Sequence, residues 1–147
     1  MCDSIAGELR AGRTVLLNTT GKSMRPLLKE GQTQVLVEPL RGSLRLGDLP
    51  LVEIGPGRYR LHRIIRIQNE CYVTRGDNSI YKETVTAGQI LGHVTQIRRG
   101  RRVLSLCARR YTLYWRLWLL LTPIRIPLYR LRGSLEGLLD RRQRHGI

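Results

Sequence analysis

The chain has 147 residues and a formal charge of +15, from 26 Lys and Arg against 11 Asp and Glu. That length suits one compact domain with an appendage, and a hydrophobic content of 41% excludes wholesale disorder. No uncharged apolar run approaches the roughly 18 to 20 residues of a membrane-spanning helix, and residues 1–13 carry Asp3 and Glu8 with no apolar core of a secretory leader.

In chain order, the first strand signal is the short β-branched stretch Thr33 to Val37. Leu49 to Ile54 follows, closed by the turn Gly55-Pro56-Gly57. Tyr59 to Ile67 alternates, with Tyr59, Leu61, Ile65 and Ile67 set against Arg58, Arg60 and Arg66. Asn69-Glu70 predicts a hairpin turn into Cys71 to Thr74, and Ile90 to Ile97 is a further strand. Glycines 31, 47, 76, 88 and 92 punctuate these stretches. Short strands so spaced predict a mainly β fold, a small barrel or sandwich without βαβ units.

Charge divides the chain near Arg98–Arg102. Residues 98–147 hold 13 Arg and two acids, Glu136 and Asp140, and carry +11, whereas residues 1–97 carry only +4. The reading is a body over residues 1–100 and a basic amphipathic helical tail over 101–147. On a helical wheel Cys107, Tyr111, Tyr114, Trp115, Trp118 and Leu121 share one arc, with Arg109, Thr112 and Arg116 on the opposite edge. Pro123 and Pro127 are expected to end or kink this helix. Leu128, Leu131, Leu135 and Leu138 predict a second amphipathic piece, weakened by Gly133 and Gly137.

Cys2, Cys71 and Cys107 form no CxxC or Cys/His ligand spacing, so neither a metal nor a cofactor is expected, and free thiols fit a reducing compartment. The chemistry sits in three polar clusters: Gly21-Lys22-Ser23-Met24-Arg25-Pro26, Leu61-His62-Arg63-Ile64 and Thr74-Arg75-Gly76-Asp77-Asn78-Ser79. A serine hydroxyl needs a base to take its proton during attack. Imidazole is the usual base near neutral pH, and a carboxylate then fixes its tautomer. Ser23, His62 and Asp77 supply the three groups. Each also has a structural reading, Ser23 and Asp77 as turn formers and His62 as a packed histidine. Lys22, as a rival base of the Ser–Lys kind, is too close along the chain to converge on Ser23. His93 and His145 read as structural or solvated.

The Gly-Lys-Ser-Met-Arg-Pro string resembles the G-x-S-M-x-P nucleophile box of type I signal peptidases and of the self-cleaving SOS-repressor peptidases. Gly47-Asp48-Leu49 resembles their GD-hydrophobic box. His62-Arg63-Ile64 is similar to the HR-hydrophobic box of archaeal and endoplasmic-reticulum signal peptidases, in which histidine replaces the bacterial lysine base. Thr74 to Asn78 resembles their T-K-G-D-N box, and Leu91 to Val94 their closing G-x-V segment. The boxes occur in family order over roughly residues 17–97.

The resemblance implies a β-rich peptidase fold and serine endopeptidase chemistry. Ser23 would be the nucleophile, His62 the general base and Asp77 the orienting acid, with the Ser23 backbone N–H in the oxyanion hole. Some relatives carry a second acid six positions after the first, where this chain has Glu83, which also reads as a surface acid. Many signal peptidases place serine two residues before the nucleophile. Here Gly21 stands there, as in the repressor-type relatives, and Thr20 or Lys22 are the groups that could compensate.

Met24 is expected to line a substrate pocket or to pack, and Arg63, with Arg75, to sit near the site and steer an acidic peptide or to be surface charge. The expected partner is a peptide or protein substrate, a leader, signal or propeptide. The tail is read as a peripheral membrane contact through Tyr111, Trp115, Trp118 and its arginines, or as a helix covering the body. Nucleic acid is disfavoured because the arc is too apolar. The resulting location is cytoplasmic, at the inner face of a membrane. The alternatives are a repressor-type peptidase that processes itself or a partner, and a non-catalytic peptide- or membrane-binding module.

Overall fold

A computed structural model of the protein describes residues 4–131. It begins with a short helix, α1 (Ile5–Arg10), capped by the Ser4 hydroxyl, which accepts from the Gly7 N–H at 3.0 Å. Its Ala6 and Leu9, three positions apart, are buried. The strands follow as β1 (Val15–Asn18), β2 (Gln34–Pro39), β3 (Pro50–Gly55), β4 (Arg58–Leu61), β5 (Arg63–Gln68), β6 (Cys71–Arg75), β7 (Lys82–Thr86), β8 (Ile90–Arg99) and β9 (Arg102–Ser105). The second helix, α2, spans Arg109–Leu120.

All strand pairs are antiparallel. One sheet runs β1-β2-β8-β3-β4, with β9 paired to β8, and curls into a half-barrel. The other is the meander β5-β6-β7. The fold is thus mainly β with a C-terminal helical part. The first core cluster gathers Val35, Val37, Leu51, Val94 and Ile97 of the half-barrel with Ala6 and Leu9 of α1 and Tyr111 of α2. A smaller cluster of Leu44, Val52, Ile64, Val85 and Ile90 joins the two sheets. Each such aliphatic side chain contributes roughly 1.5–3 kcal/mol when removed from water.

The expected hairpin at Asn69-Glu70 connects β5 to β6, with both residues at positive φ (43° and 64°), the geometry of a type I′ turn. The single strand expected over Tyr59 to Ile67 is divided. Tyr59 to Leu61 belong to the half-barrel and Arg63 to Ile67 to the meander, so the chain changes sheets at His62. The charge boundary at Arg98–Arg102 falls on the β8–β9 hairpin, which turns at Gly100.

In the tail, α2 ends at Leu120, and helix resumes over residues 122–131. Pro123 sits in the first turn of that second piece, where its missing N–H has no partner to lose. Leu128 and Leu131 lie in this helix, whereas Leu135, Leu138 and His145 lie outside the described residues. Among the described residues no helix is long and apolar enough to cross a membrane.

Candidate active site

Ser23 lies in the irregular turn after β1, and His62 lies where the chain leaves β4 for β5. The fold brings these residues together across 39 positions, with Ser23 Oγ 3.3 Å from His62 Nε2. His62 is 8% exposed. The serine turn is held by the loop after β6. The Asn78 N–H donates to the Ser23 carbonyl at 2.7 Å, and Asn78 Nδ2 donates to the Lys22 carbonyl at 3.3 Å.

Gly76 makes that close approach possible. A Cβ there would lie 2.6 Å from the Ser23 carbonyl oxygen and 3.2 Å from His62 Nε2. Any side chain at position 76 would wedge the two functional groups apart.

Behind the imidazole stands Glu83, from β7. Its Oε2 lies 3.4 Å from His62 Nδ1, an ion-pair distance without hydrogen-bond alignment, and its Oε1 accepts from Arg60 of β4. Burial pushes the His62 pKa below its ordinary 6.5; Glu83 opposes that shift and Arg60 adds to it. The ring is therefore neutral near pH 7, the form a base needs.

Asp77, expected as the orienting acid, favours the His62 imidazolium through its charge. Its carboxylate is engaged by Arg63, whose Nε donates to Oδ1 at 2.7 Å and whose Nη2 donates to Oδ2 at 2.6 Å. Tyr114 also donates to Oδ2, at 3.2 Å. Arg63, expected near the site, is 0% exposed. Its Nη1 donates to Tyr111 Oη at 2.7 Å and to the Gly47 carbonyl at 3.1 Å, with the guanidinium flanked by the rings of Tyr111 and Tyr114. Burial works against its charge, but Asp77 and the two tyrosines outweigh that and hold its pKa above the usual arginine value. Arg75 is also buried and donates to Thr122 Oγ1 at 2.9 Å.

The aromatic arc of the tail docks on this cluster. Tyr111 is buried, and its hydroxyl, with a pKa pushed up to about 12 by burial, donates to the Gly47 carbonyl at 2.6 Å. Trp118 Nε1 donates to the Asp77 carbonyl at 3.2 Å, and Arg125 donates to the same oxygen. Trp115 lies over Gly47, whose φ of 90° favours glycine and whose absent Cβ leaves room for the indole. Tyr111, Trp115 and Trp118 thus face the body.

Ser23 and His62 open onto a cavity of about 770 Å³. Its apolar wall is Leu17, Met24, Leu28, Val35 and Leu51, so Met24 both packs in the core and lines the cavity. Leu17 and Asn18 of β1 and Tyr59, Arg60 and Leu61 of β4 flank it, and these are the two end strands of the half-barrel path. Among the described residues no three His, Cys, Asp or Glu side chains gather as metal ligands would. No family model, curated protein or solved structure matches the chain.

The sequence reading left Glu83 as a possible surface acid and gave Arg60 no role. The available signal for Glu83 was its place six positions after Asp77. For Arg60 there was only its place two residues before His62, on the same face of an alternating strand.

Proposed function

We propose that this chain is a serine endopeptidase that cleaves an extended leader, signal or propeptide, with Ser23 as nucleophile and His62 as base. The reading rests on one observation: a serine hydroxyl 3.3 Å from the Nε2 of a buried imidazole, at the mouth of an apolar-walled cavity. The order of the boxes resembling signal peptidases supports it independently.

In this scheme His62 Nε2 takes the Ser23 Oγ proton as Oγ bonds the scissile carbonyl carbon. Nδ1 keeps its proton and turns it toward Glu83, which steadies the imidazolium that forms. The Ser23 backbone N–H is the donor this scheme assigns to the oxyanion. Collapse breaks the C–N bond, and His62 returns the proton to the leaving amine. A water, deprotonated by His62, then releases the acyl group and restores Ser23. The substrate backbone pairs with the free edges of β1 and β4, and an apolar side chain enters the cavity between them.

The test is labelling with a serine-directed acylating probe. Wild type labels at Ser23, while Ser23→Ala does not and His62→Ala labels far more slowly with the fold retained. Equal labelling of wild type and Ser23→Ala would remove the nucleophile assignment and favour a non-catalytic binding module.

A further inference from the structure

The tail presents a second apolar face that the docked aromatic arc does not use. With Tyr111, Trp115 and Trp118 turned to the body, Leu113, Leu117, Leu120, Ile124, Leu128 and Leu131 follow one another at spacings of three and four. All six are exposed, Leu120 by 74% and Ile124 by 63%. The stripe runs from α2 across the turn at Leu121 into the helix over residues 122–131. A contiguous exposed aliphatic stripe of this kind marks an interaction surface.

Charge identifies the partner. No Asp or Glu occurs between Glu83 and Glu136, and Arg109, Arg110 and Arg116 are exposed around the first turns of α2. A second copy of this chain on the stripe would bring arginines against arginines. A nucleic acid would meet the arginines but leave the leucines in water. An anionic bilayer surface satisfies both: aliphatic side chains enter the acyl boundary while guanidinium groups meet lipid phosphates. We propose that α2 and the helical residues after it lie in the plane of an anionic membrane on their Leu113–Leu131 face. The inference stands apart from the chemistry of Ser23.

The experiment is co-sedimentation of the full chain with extruded vesicles at ~0.1 M salt, where surface charges still act over about 10 Å. The vesicles are equimolar phosphatidylglycerol and phosphatidylcholine, or phosphatidylcholine alone. Wild type pellets with the anionic vesicles and stays largely in the supernatant with the neutral ones. Leu117→Gln/Leu120→Gln/Ile124→Gln keeps the melting curve, because these side chains are exposed, and needs at least about tenfold more anionic lipid for half-binding. Leu120→Gln alone moves in the same direction by less.

Three results would each overturn the proposal. Wild type could stay in solution with anionic vesicles, including the case where it binds an oligonucleotide instead. The triple variant could pellet like wild type. Lipid-free wild type could sediment as a dimer that the triple substitution dissociates, which would make the stripe a self-interface.

Discussion

Replacing Asp77 by asparagine separates the two roles that an acid near His62 can play. Arg63 is 0% exposed and the Asp77 side chain 2%, so their pair is shielded from water. An asparagine would keep one oxygen for Arg63 Nε but set an NH2 against Arg63 Nη2 and the Tyr114 hydroxyl, leaving a buried guanidinium without its counter-charge. Losing one member of such a pair costs about 3–5 kcal/mol. For a chain of 147 residues that is a fall in Tm of roughly 10–15 °C. Removing both charges, as Arg63→Leu/Asp77→Leu, is expected to recover much of the loss, because the uncompensated charge is gone. The assay is thermal unfolding by circular dichroism, with the Ser23 labelling rate measured well below each transition. Asp77→Asn should lower Tm while the folded protein still labels, more slowly because the tie between the Ser23 loop and β5 is weakened. A Tm within about 2 °C of wild type, together with abolished labelling, would refute the reasoning and return Asp77 to the role of orienting acid.

The labelling rate should rise with pH to a plateau whose midpoint lies below 6.5, because burial first and Arg60 second disfavour the imidazolium. The reactive neutral ring is populated above that midpoint and lost as pH falls through it. His62 likewise contributes stability that is complete above 6.5 and declines below it. A midpoint at 7 or higher would contradict the burial argument, and Arg60→Met should move the midpoint upward. Glu83→Gln removes the group that favours the imidazolium, so the midpoint should fall and labelling slow by about 10- to 100-fold. Its stability should stay within about 1 kcal/mol of wild type, since Glu83 and Arg60 are about a third exposed; an unchanged rate would discard Glu83 as the positioning acid. Gly47→Ala places a Cβ inside the Trp115 ring at a φ of 90° and should cost about 1–3 kcal/mol. Its tryptophan emission should shift to the red as Trp115 leaves the surface, and an unshifted spectrum would show that the indole is not seated there.

The strands were legible where β-branched and aliphatic residues cluster between turn signals, as at Gln34–Pro39, Pro50–Gly55 and Cys71–Arg75, and at Gln34–Pro39 burial also alternates because one face meets a core. The break at His62 was not, because the same apolar spacing appears on both sides of it, in Tyr59 and Leu61 and again in Ile65 and Ile67. The one local sign is that Arg63 falls on the apolar phase and Ile64 on the polar one. The tail's arc was legible in part. Its aromatic residues mark the docking face, but Leu121, counted with them, is 44% exposed, and a helix apolar on two sides does not say which side is covered. Arg63 misled for a related reason: an arginine in a strand is read as surface, and only the fold reveals a carboxylate, two tyrosines and a carbonyl gathered around it.

Which acid stands nearest the imidazole follows from reach. Asp77 sits one residue after Gly76, on the loop that carries the bond to the Ser23 carbonyl. Arg63 sits one residue after His62. Their pairing therefore ties the serine's loop to the histidine's strand and fixes the spacing of the two reactive groups, which occupies both carboxylate oxygens. Glu83, on a neighbouring strand and longer by one methylene, reaches Nδ1 from the other side. The tail closes over the tie through Tyr111, Tyr114 and Trp118, so helix and site share one anchor. Loss of the helix's inner contacts should then loosen Ser23 against His62, whereas changes on its outer leucines should leave that spacing alone. Trp118→Ala set beside Leu120→Gln provides the comparison: the first should slow labelling and the second should not.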